Sequence, residues 1–373
     1  MPKKGENIYR RKDGRWEGRY IKGYHADGKA RYGYVYGKTY SEVKQKLIDD
    51  RIAFVQGKNT KQCKIKYRDI LHDWLAMSKI RIKESTYSRY VHLSETHIEP
   101  SLGALTLDCL TTHTVEQHIS FLISEGRVDG KGGLAPKTVS DILAIIKGSI
   151  DYARCVGYQI NCYLDRLNIK KPQTDMRVLS PEEQQKLLSI LLSATDLPKL
   201  GVLLSLYTGM RIGEVCALRW ENLDLSEGVL SIRETLQRIQ NTDVGSIRKT
   251  KIVITEPKSK NSIRVIPLPA SLTQITSQFQ STPKAYILTG RVDKYMEPRL
   301  LQYYFKKYIE ACGLSGVNYH TLRHTFATRC IELGFDVKTL SEILGHTNVN
   351  ITLNRYVHSS IDTKRANMQR LQL

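Results

Sequence analysis

The 373-residue sequence lacks any hydrophobic run that approaches the roughly 20 apolar residues needed to span a bilayer. Its first residues, Met1 to Glu6, carry charge where a secretory signal would have an apolar segment. We therefore expect a soluble protein with no membrane partner, which stays in the cytoplasm of the cell that makes it.

Cysteine pairs with the spacing of metal or redox motifs are also lacking. The odd count of seven includes no CxxC pair and no zinc-finger arrangement with histidine, which indicates reduced, mostly packed thiols. A GxxxxGK[ST] loop for ATP is absent, and no spaced acidic cluster indicates a two-metal nuclease. We predict that the protein uses no cofactor and no metal, and that it remains active in EDTA.

Acidic residues are few relative to basic ones. Lys and Arg number 57 against 37 Asp and Glu, which gives a formal net charge of +20. A merely soluble basic protein would not need so large an imbalance. The excess therefore favours a polyanionic partner that is bound through its phosphates.

The first 58 residues combine this charge with interleaved tyrosines. By count they hold 15 Lys and Arg against 7 Asp and Glu. Turn signals at Asp13-Gly14 and Asp27-Gly28 separate short alternating runs, Trp16 to Ile21 and Arg31 to Tyr36. A helix should follow from about Tyr40. This pattern predicts a three-stranded sheet plus a helix over residues 1–58.

A small basic sheet of this kind can enter the major groove of DNA. Its aromatic residues could instead form its own core, and both can hold if one face packs and the other is basic. The residues predicted to contact DNA here are Arg15, Arg19, Tyr20 and Arg31.

Residues 64–168 follow a polar linker and read as all-helical. Apolar spacing predicts four helices: from Tyr67, from Ser85 to Pro100, from about Thr112, and from Pro136. Such a block could grip DNA or serve as a spacer.

Residues 178–373 form the predicted third domain. Ser180, Pro181 and Glu183 give a capping box at its first helix. A β-rich insert is predicted as three strands: Val229 to Thr235, Ile252 to Ile254 and Ile263 to Ile266. The remainder should be helical. The whole chain is thus predicted to be multidomain and mainly α, with small β-sheets.

The last part of this domain holds a set of residues suited to chemistry on a phosphate. His320 and Arg323 share a helical face, and Gly345 should end a helical segment just before His346. Tyr356 follows ten positions later. A further arginine, Arg211, lies between two glycines that could let the backbone approach a phosphate. Cations that hold a phosphate and a phenol that attacks it indicate DNA strand transfer.

These motifs, in this order, resemble the signature of the tyrosine recombinases, or phage-type integrases. The resemblance rests on TGMRIGE around Arg211, the lysine segment, HTLRH at 320–324, LGHT at 344–347 and Tyr356. It is strongest over about 178–360 and extends to the helical block and, more loosely, to the basic N-terminal module. The layout is similar to integrases of conjugative transposons and temperate phages. It implies an arm-type DNA-binding domain, a helical core-binding (SAM-like) domain and a mixed α+β catalytic domain.

The resemblance also implies roles. Tyr356 would be the nucleophile that forms a 3′-phosphotyrosyl bond. Arg211 and Arg323 would hold the non-bridging oxygens of the phosphate. His320 would hold or accept the tyrosine proton, and His346 would donate to a phosphate oxygen. His324 has weaker claims.

A lysine at the tip of a β-hairpin would protonate the leaving 5′-oxygen. Lys258 and Lys260 both qualify by position. Lys260 fits the family pattern better, and Lys258 is then a candidate DNA contact.

The resemblance further implies a homo-tetramer that exchanges strands between two duplexes through a Holliday junction. An excisionase or a host DNA-bending protein would be possible partners, and the protein would be associated with the nucleoid of a bacterium. The sequence leaves open the DNA sites, the preference for integration or excision, and whether Tyr356 acts within its own subunit.

Two alternatives compete with this interpretation. A type IB topoisomerase-like enzyme would share the catalytic residues but relax a single duplex. A DNA-binding repressor or architectural protein would lack catalysis, which the complete residue set argues against.

Overall fold

A computed structural model describes residues 7–24, 30–55, 65–170, 176–243, 245–256, 262–356, 365 and 368–369. The predicted turn at Asp27-Gly28 and both candidate lysines, Lys258 and Lys260, lie outside the described residues. Contacts divide the chain into two units. The first comprises Met1–Arg81 and Leu93–Lys170, and the second comprises Ile82–His92 and Lys171–Leu373. Each is described by itself.

The N-terminal module is the predicted three-stranded antiparallel sheet followed by a helix. Its strands are β1 (Ile8–Arg10), β2 (Trp16–Tyr24) and β3 (Ala30–Gly37), and its helix is α1 (Tyr40–Val55). Gly14, at a φ of 85°, closes the predicted turn between β1 and β2.

One face of this sheet packs on α1. A buried cluster of Ile8, Tyr20, Val43 and Leu47 forms the interface. Helix and sheet meet closely at Gly18, where a Cβ atom would lie 2.7 Å from Leu47. The opposite face carries the exposed side chains of β3.

The helical block begins with α2 (Tyr67–Arg81) and α3 (Glu84–Leu93). A π-helical turn, Ser94–Ile98, and α4 (Glu99–Leu102) come next. Pro100 has no N–H to donate to the preceding turn, which accounts for the interruption of the second predicted helix. The other two helices are α5 (Thr112–Glu125) and α6 (Pro136–Cys155).

The core of this block lies between α2 and α6. Tyr67 is fully buried, and its hydroxyl forms a 2.7 Å hydrogen bond with Ser149. Helix α3 belongs by its contacts to the second unit. There Ser88 donates to the carbonyl of Gln240, and Glu84 forms an ion pair with Lys251.

The second unit is built mainly from helices around one large apolar core. Its helices are α7 (Pro181–Leu192), α8 (Leu197–Thr208), α9 (Ile212–Ala217), α10 (Ala270–Ser277), α11 (Pro298–Ala311), α12 (Tyr319–Glu332), α13 (Val337–Leu344) and α14 (Val349–Tyr356). The predicted capping box is present at α7, where Ser180 and Glu183 each accept from the other's backbone N–H.

The β-rich insert differs from its prediction. Its strands are β4 (Leu223–Asp224), β5 (Val229–Ile232), β6 (Thr235–Gln240), β7 (Thr250–Thr255) and β8 (Arg264–Pro267). The single strand predicted from Val229 to Thr235 is wrong, because the chain breaks at Arg233 and Glu234 and begins a second strand. This strand, β6, was missed because four of its six residues are polar.

Strand pairing also corrects the predicted lysine hairpin. Strand β7 pairs with β6, whereas β8 pairs with β5 in another sheet. The two strands that flank residues 257–261 therefore do not pair with each other over the described residues.

The helical segment predicted before Gly345 is divided in two. Gly334, at a φ of 81°, ends the turn after α12, and Asp336 caps α13 by accepting from the N–H of Thr339. Gly345, at a φ of 66°, ends α13 as predicted. None of the helices in the described part of the chain is both long and apolar enough to cross a membrane.

Candidate active site

Arg323 lies at the centre of the candidate site. It is on the second turn of α12, whose first turn is capped by Asn318, and its side chain is only 2% exposed. Nη1 donates to the carbonyl of Gly209 and Nη2 to that of Leu344, both at 2.8 Å. These carbonyls come two residues before Arg211 and two residues before His346. Arg323 therefore holds together the two loops that carry the other motif residues.

Arg211 is the N-cap residue of α9. Its backbone N–H donates to Glu214 at 2.9 Å, and its guanidinium forms a 2.8 Å ion pair with the same carboxylate. The side chain remains 39% exposed, so it is both oriented and accessible.

The glycines around Arg211 have a packing role that was not predicted. Gly209 adopts a φ of +64°, and a Cβ atom there would lie 2.5 Å from the ring of Phe326. At Gly213, a Cβ atom would lie 2.7 Å from the carbonyl oxygen of Leu236 on β6. Both glycines permit close packing within the protein. The interpretation that they let the backbone approach a phosphate stays a prediction.

Glu214 is a buried carboxylate shared by two arginines. Besides Arg211, it accepts from Arg264 at 2.9 and 3.2 Å, and Arg264 also donates to the carbonyl of Ile343. Burial alone would raise the pKa of Glu214, but these two guanidinium groups hold it below its ordinary value. Arg264 was not among the predicted site residues. The signal was available, because Arg264 occupies the inward-facing phase of the alternating strand β8.

We predict that Glu214→Ala destabilises the second unit by about 3–5 kcal/mol, because it leaves the buried Arg264 without its counter-charge. Urea unfolding followed by tryptophan fluorescence measures the change. Glu227→Ala, at an exposed acidic residue of the same unit, is the matched control. A loss below about 1 kcal/mol would contradict a structural role for this carboxylate.

His346 follows Gly345 and is nearly buried. Its Nδ1 lies 2.8 Å from the hydroxyl of Thr352, and its ring is parallel to that of Tyr356 with centroids 6.4 Å apart. Burial, reinforced by the charges of Arg323 and Arg211, lowers the pKa of His346 to about 3. The ring is therefore neutral at pH 7.

Because the pKa of His346 is lowered in the folded protein, the free energy of unfolding should depend on pH. An unfolded histidine titrates near pH 6.5, so below that pH the unfolded chain binds a proton that folded His346 does not. Wild type should therefore lose about 2 kcal/mol relative to His346→Gln between about pH 6.5 and about pH 4.5.

Urea unfolding of both proteins across this range measures the difference, and His113→Gln, at an exposed position of α5, is the control. A difference between wild type and His346→Gln that does not change with pH would show that His346 is not buried in its neutral form.

Tyr356 is the last residue of α14 and is 5% exposed. Its hydroxyl lies 2.9 Å from Nδ1 of His324. Burial raises the pKa of Tyr356, although the charges of Arg323 and Arg355 partly oppose this. The phenol is therefore protonated at neutral pH and needs a proton acceptor before it can attack.

The two remaining histidines are neighbours on α12. The rings of His320 and His324 meet edge to face, with centroids 4.5 Å apart. Desolvation, with the charge of Arg323 next in importance, lowers the pKa of His320 to about 4. The histidine that bonds to the tyrosine hydroxyl is His324, to which sequence analysis had given the weaker claim.

Two cavities border this set of residues. One of about 370 Å³ is lined by Arg211 and His346, among others, and a larger cleft of about 1060 Å³ is lined by His324 and Tyr356. Ile351 on α14 borders both. The structure thus brings Arg211, Arg323 and His346 together, and Tyr356 borders the larger cleft.

The residues predicted to contact DNA in the N-terminal module differ in their exposure and contacts. Arg19 lies on the outer face, with its guanidinium 4.1 Å from the ring centre of Tyr32. Arg15 is exposed beside the β1–β2 turn and forms an ion pair with Asp13. Tyr20 is buried on the inner face across Gly33, so its prediction as a DNA contact is wrong. The side chain of Arg31 lies outside the described residues.

An unpredicted carboxylate lies on the same outer face. Glu17 is 5% exposed and accepts hydrogen bonds from Tyr9 and Arg11, both at 2.5 Å. It therefore fixes an aromatic and a basic side chain on the exposed surface. Glu17 was not predicted, because the few acids among the basic residues of this module show no regular spacing.

Comparisons with known proteins agree with this architecture. Residues 177–362 match the Phage integrase family, and residues 66–123 match the Phage integrase N-terminal SAM-like domain. A XerC-like tyrosine recombinase of Caldanaerobacter subterraneus subsp. tengcongensis is 26% identical over 348 residues, which is 87% of each chain. The transposase from transposon Tn916 of Enterococcus faecalis is 25% identical and covers 78% of this chain and 74% of its own.

Solved structures show the same fold. The Tn1549 transposon integrase, in complex with transposon right end DNA, superposes with a TM-score of 0.65 at 21% identity. The match covers 82% of this chain and 99% of that one. A lambda integrase dimer bound to a COC′ core site gives a TM-score of 0.58 at 16% identity, with 94% of each chain covered.

The chain is therefore a tyrosine recombinase of the phage integrase family, a class of enzymes that break and rejoin DNA. Within this class it is similar to the integrases of conjugative transposons.

Proposed function

We propose that the protein is a site-specific recombinase that integrates, excises, or both integrates and excises a mobile element. The observation that carries this proposal is the buried Arg323, which holds the loops of Arg211 and His346 against each other. Tyr356, on the adjoining helix α14, supplies the hydroxyl that a strand-transfer reaction needs. Binding to core and arm sites on double-stranded DNA follows from the net charge and from the relatives.

The reaction begins with one DNA phosphate held by two guanidinium groups. Arg211 is exposed enough to reach a non-bridging oxygen. Two of the five N–H groups of Arg323 are used by the two backbone carbonyls, which leaves three for an anion. Planar guanidinium groups match the geometry of a phosphate and neutralise the charge that grows in the pentavalent transition state. Lysine at either position would lose this fork.

His346 suits the role of donor to a phosphate oxygen. In the tautomer that accepts from the Thr352 hydroxyl at Nδ1, the neutral ring carries its own proton on Nε2. His346 lines the same cavity as Arg211. A neutral donor adds no further charge to a site already rich in cations.

The covalent step stores the energy of the cleaved bond. The Tyr356 oxygen attacks phosphorus, the bond to the 5′-oxygen breaks, and a 3′-phosphotyrosyl ester remains. The 5′-hydroxyl of the partner strand then attacks this ester, so rejoining needs no ATP. Repetition on the second pair of strands resolves a Holliday junction.

The wider assembly is part of the same proposal. The N-terminal module over 1–58 would bind arm sites, the helical block over 64–168 and the catalytic domain over 178–373 would bind core sites, and four copies would act together. The lambda integrase tetramer bound to a Holliday junction is a structural relative with such an assembly. The protein would work on nucleoid DNA in the cytoplasm, with an excisionase or DNA-bending protein where the direction of the reaction requires one.

We predict covalent trapping of DNA by Tyr356. The probe is a pool of nicked duplexes with randomised base pairs around the nick, from which the cleaved strand diffuses away after attack. Wild type should form a protein–DNA adduct that resists denaturation, in EDTA as well as in Mg²⁺. Tyr356→Phe, which lacks the attacking oxygen, should form none although it still binds.

Sequencing the trapped strands identifies the core site and gives one enriched duplex for later work. No adduct with wild type on any member of the pool would favour a DNA-binding protein without catalysis. Relaxation of supercoiled plasmid, without strand exchange between paired enriched sites, would favour a topoisomerase-like enzyme.

The general acid can be assigned by changing the leaving group. We propose Lys260, with Lys258 as the alternative. Lys260→Ala should slow cleavage of the enriched duplex by about 10²–10⁴-fold. A 5′-bridging phosphorothiolate should remove the defect, because a thiolate leaves without a proton. Lys258→Ala is the matched control, and rescue of that variant instead would move the assignment to Lys258.

A further inference from the structure

His324 makes the one direct histidine contact with the attacking atom among the described residues. Its Nδ1 lies 2.9 Å from the Tyr356 hydroxyl, and the two ring centres are 5.8 Å apart. His324 is on α12 and Tyr356 is at the end of α14, so the contact depends on how two helices pack.

Transfer of the phenolic proton requires the tautomer of His324 in which Nδ1 carries no proton and accepts from the hydroxyl. Burial raises the pKa of Tyr356, so the phenol keeps its proton at neutral pH. Desolvation, with His320 and Arg355 contributing, lowers the pKa of His324 to about 4. A neutral imidazole that accepts at Nδ1 carries its proton on Nε2. In that tautomer the lone pair of Nδ1 faces the phenolic proton that must leave.

His320 is placed differently. Its ring meets His324 edge to face, and it lines a small cavity of about 230 Å³ together with Met210, Ile212 and Gln302. The ring of His324, by contrast, lines the larger cleft onto which Tyr356 also opens.

We infer that His324, rather than His320, accepts the proton of Tyr356 during strand cleavage. The inference rests on the proposed function. The Oη–P bond forms as the P–O5′ bond breaks, the phenolic proton passes to Nδ1 of His324, and the lysine general acid protonates the 5′-oxygen. On rejoining, the imidazolium of His324 returns its proton to the departing tyrosine.

The test compares four proteins on the enriched nicked duplex described above: wild type, His324→Ala, His324→Asn and His320→Asn. Asparagine places its Oδ1 near the position of Nδ1, so it keeps an acceptor for the tyrosine O–H but cannot take the proton. Rates of adduct formation are measured in a single turnover, and gel shifts with the same duplex establish that each variant is folded and binds.

His324→Ala and His324→Asn should both slow adduct formation by about 10²–10⁴-fold, the range for loss of a positioned general base. Added imidazole should restore part of the rate of His324→Ala, because the vacated space opens onto the larger cleft. It should not restore His324→Asn, whose side chain fills that space. His320→Asn should lose less activity and show no rescue.

Two results would overturn the inference while leaving the recombinase intact. A His324→Asn rate within about threefold of wild type would show that only an acceptor, not a base, is needed. A slow His324→Ala enzyme that binds DNA normally and gains nothing from imidazole would reduce His324 to packing. Absence of any wild-type adduct contradicts the proposed function itself and is thereby distinct from both.

Discussion

The pair of hydrogen bonds from Arg323 to the carbonyls of Gly209 and Leu344 is the constraint on which the site depends. One side chain from α12 fixes the loop before α9 and the loop after α13. A buried cation is costly, and this cost is visible in the pKa of Arg323, which burial lowers to about 9. Backbone carbonyls offset part of it and leave the group charged at neutral pH. A lysine has one nitrogen and could not bridge two loops while facing a phosphate.

The charged groups of the site leave an excess of positive charge, which a bound anion reduces. Arg211, Arg264 and Arg323 place three positive charges around the single carboxylate of Glu214, which is an excess of two. A DNA phosphate removes one unit of that excess. Because the positive groups are already held by α9, α12 and strand β8, little reorganisation is needed when charge develops on the phosphate. The carboxylate of Glu214 reduces the repulsion among the three arginines when no DNA is bound.

How far the sequence predicts this arrangement depends on the range of the interactions. Local signals predicted the helix starts at Ser180 and Pro136, the end of α13 at Gly345, and the order of the motif residues. What failed needed tertiary information. Which face of β2 is buried, and therefore whether Tyr20 is buried, depends on how the sheet packs on α1. The roles of Gly209 and Gly213 depend on Phe326 and on β6, which are distant in sequence. Strand β6 itself was missed, because its outward residues are polar.

The same reasoning explains why sequence alone could not choose between His320 and His324. The two lie four residues apart on α12 and are therefore neighbours on its surface. From there either could reach a group that packs against this side of the helix. The approach of α14 decides, and only packing sets it. Desolvation lowers the pKa of both imidazoles to about 4, so both are neutral at pH 7 and each has a lone pair that can accept a proton. Their protonation states therefore do not separate them either. Distance does. A phenol whose pKa is raised by burial transfers its proton to the base it already touches, and that base is His324.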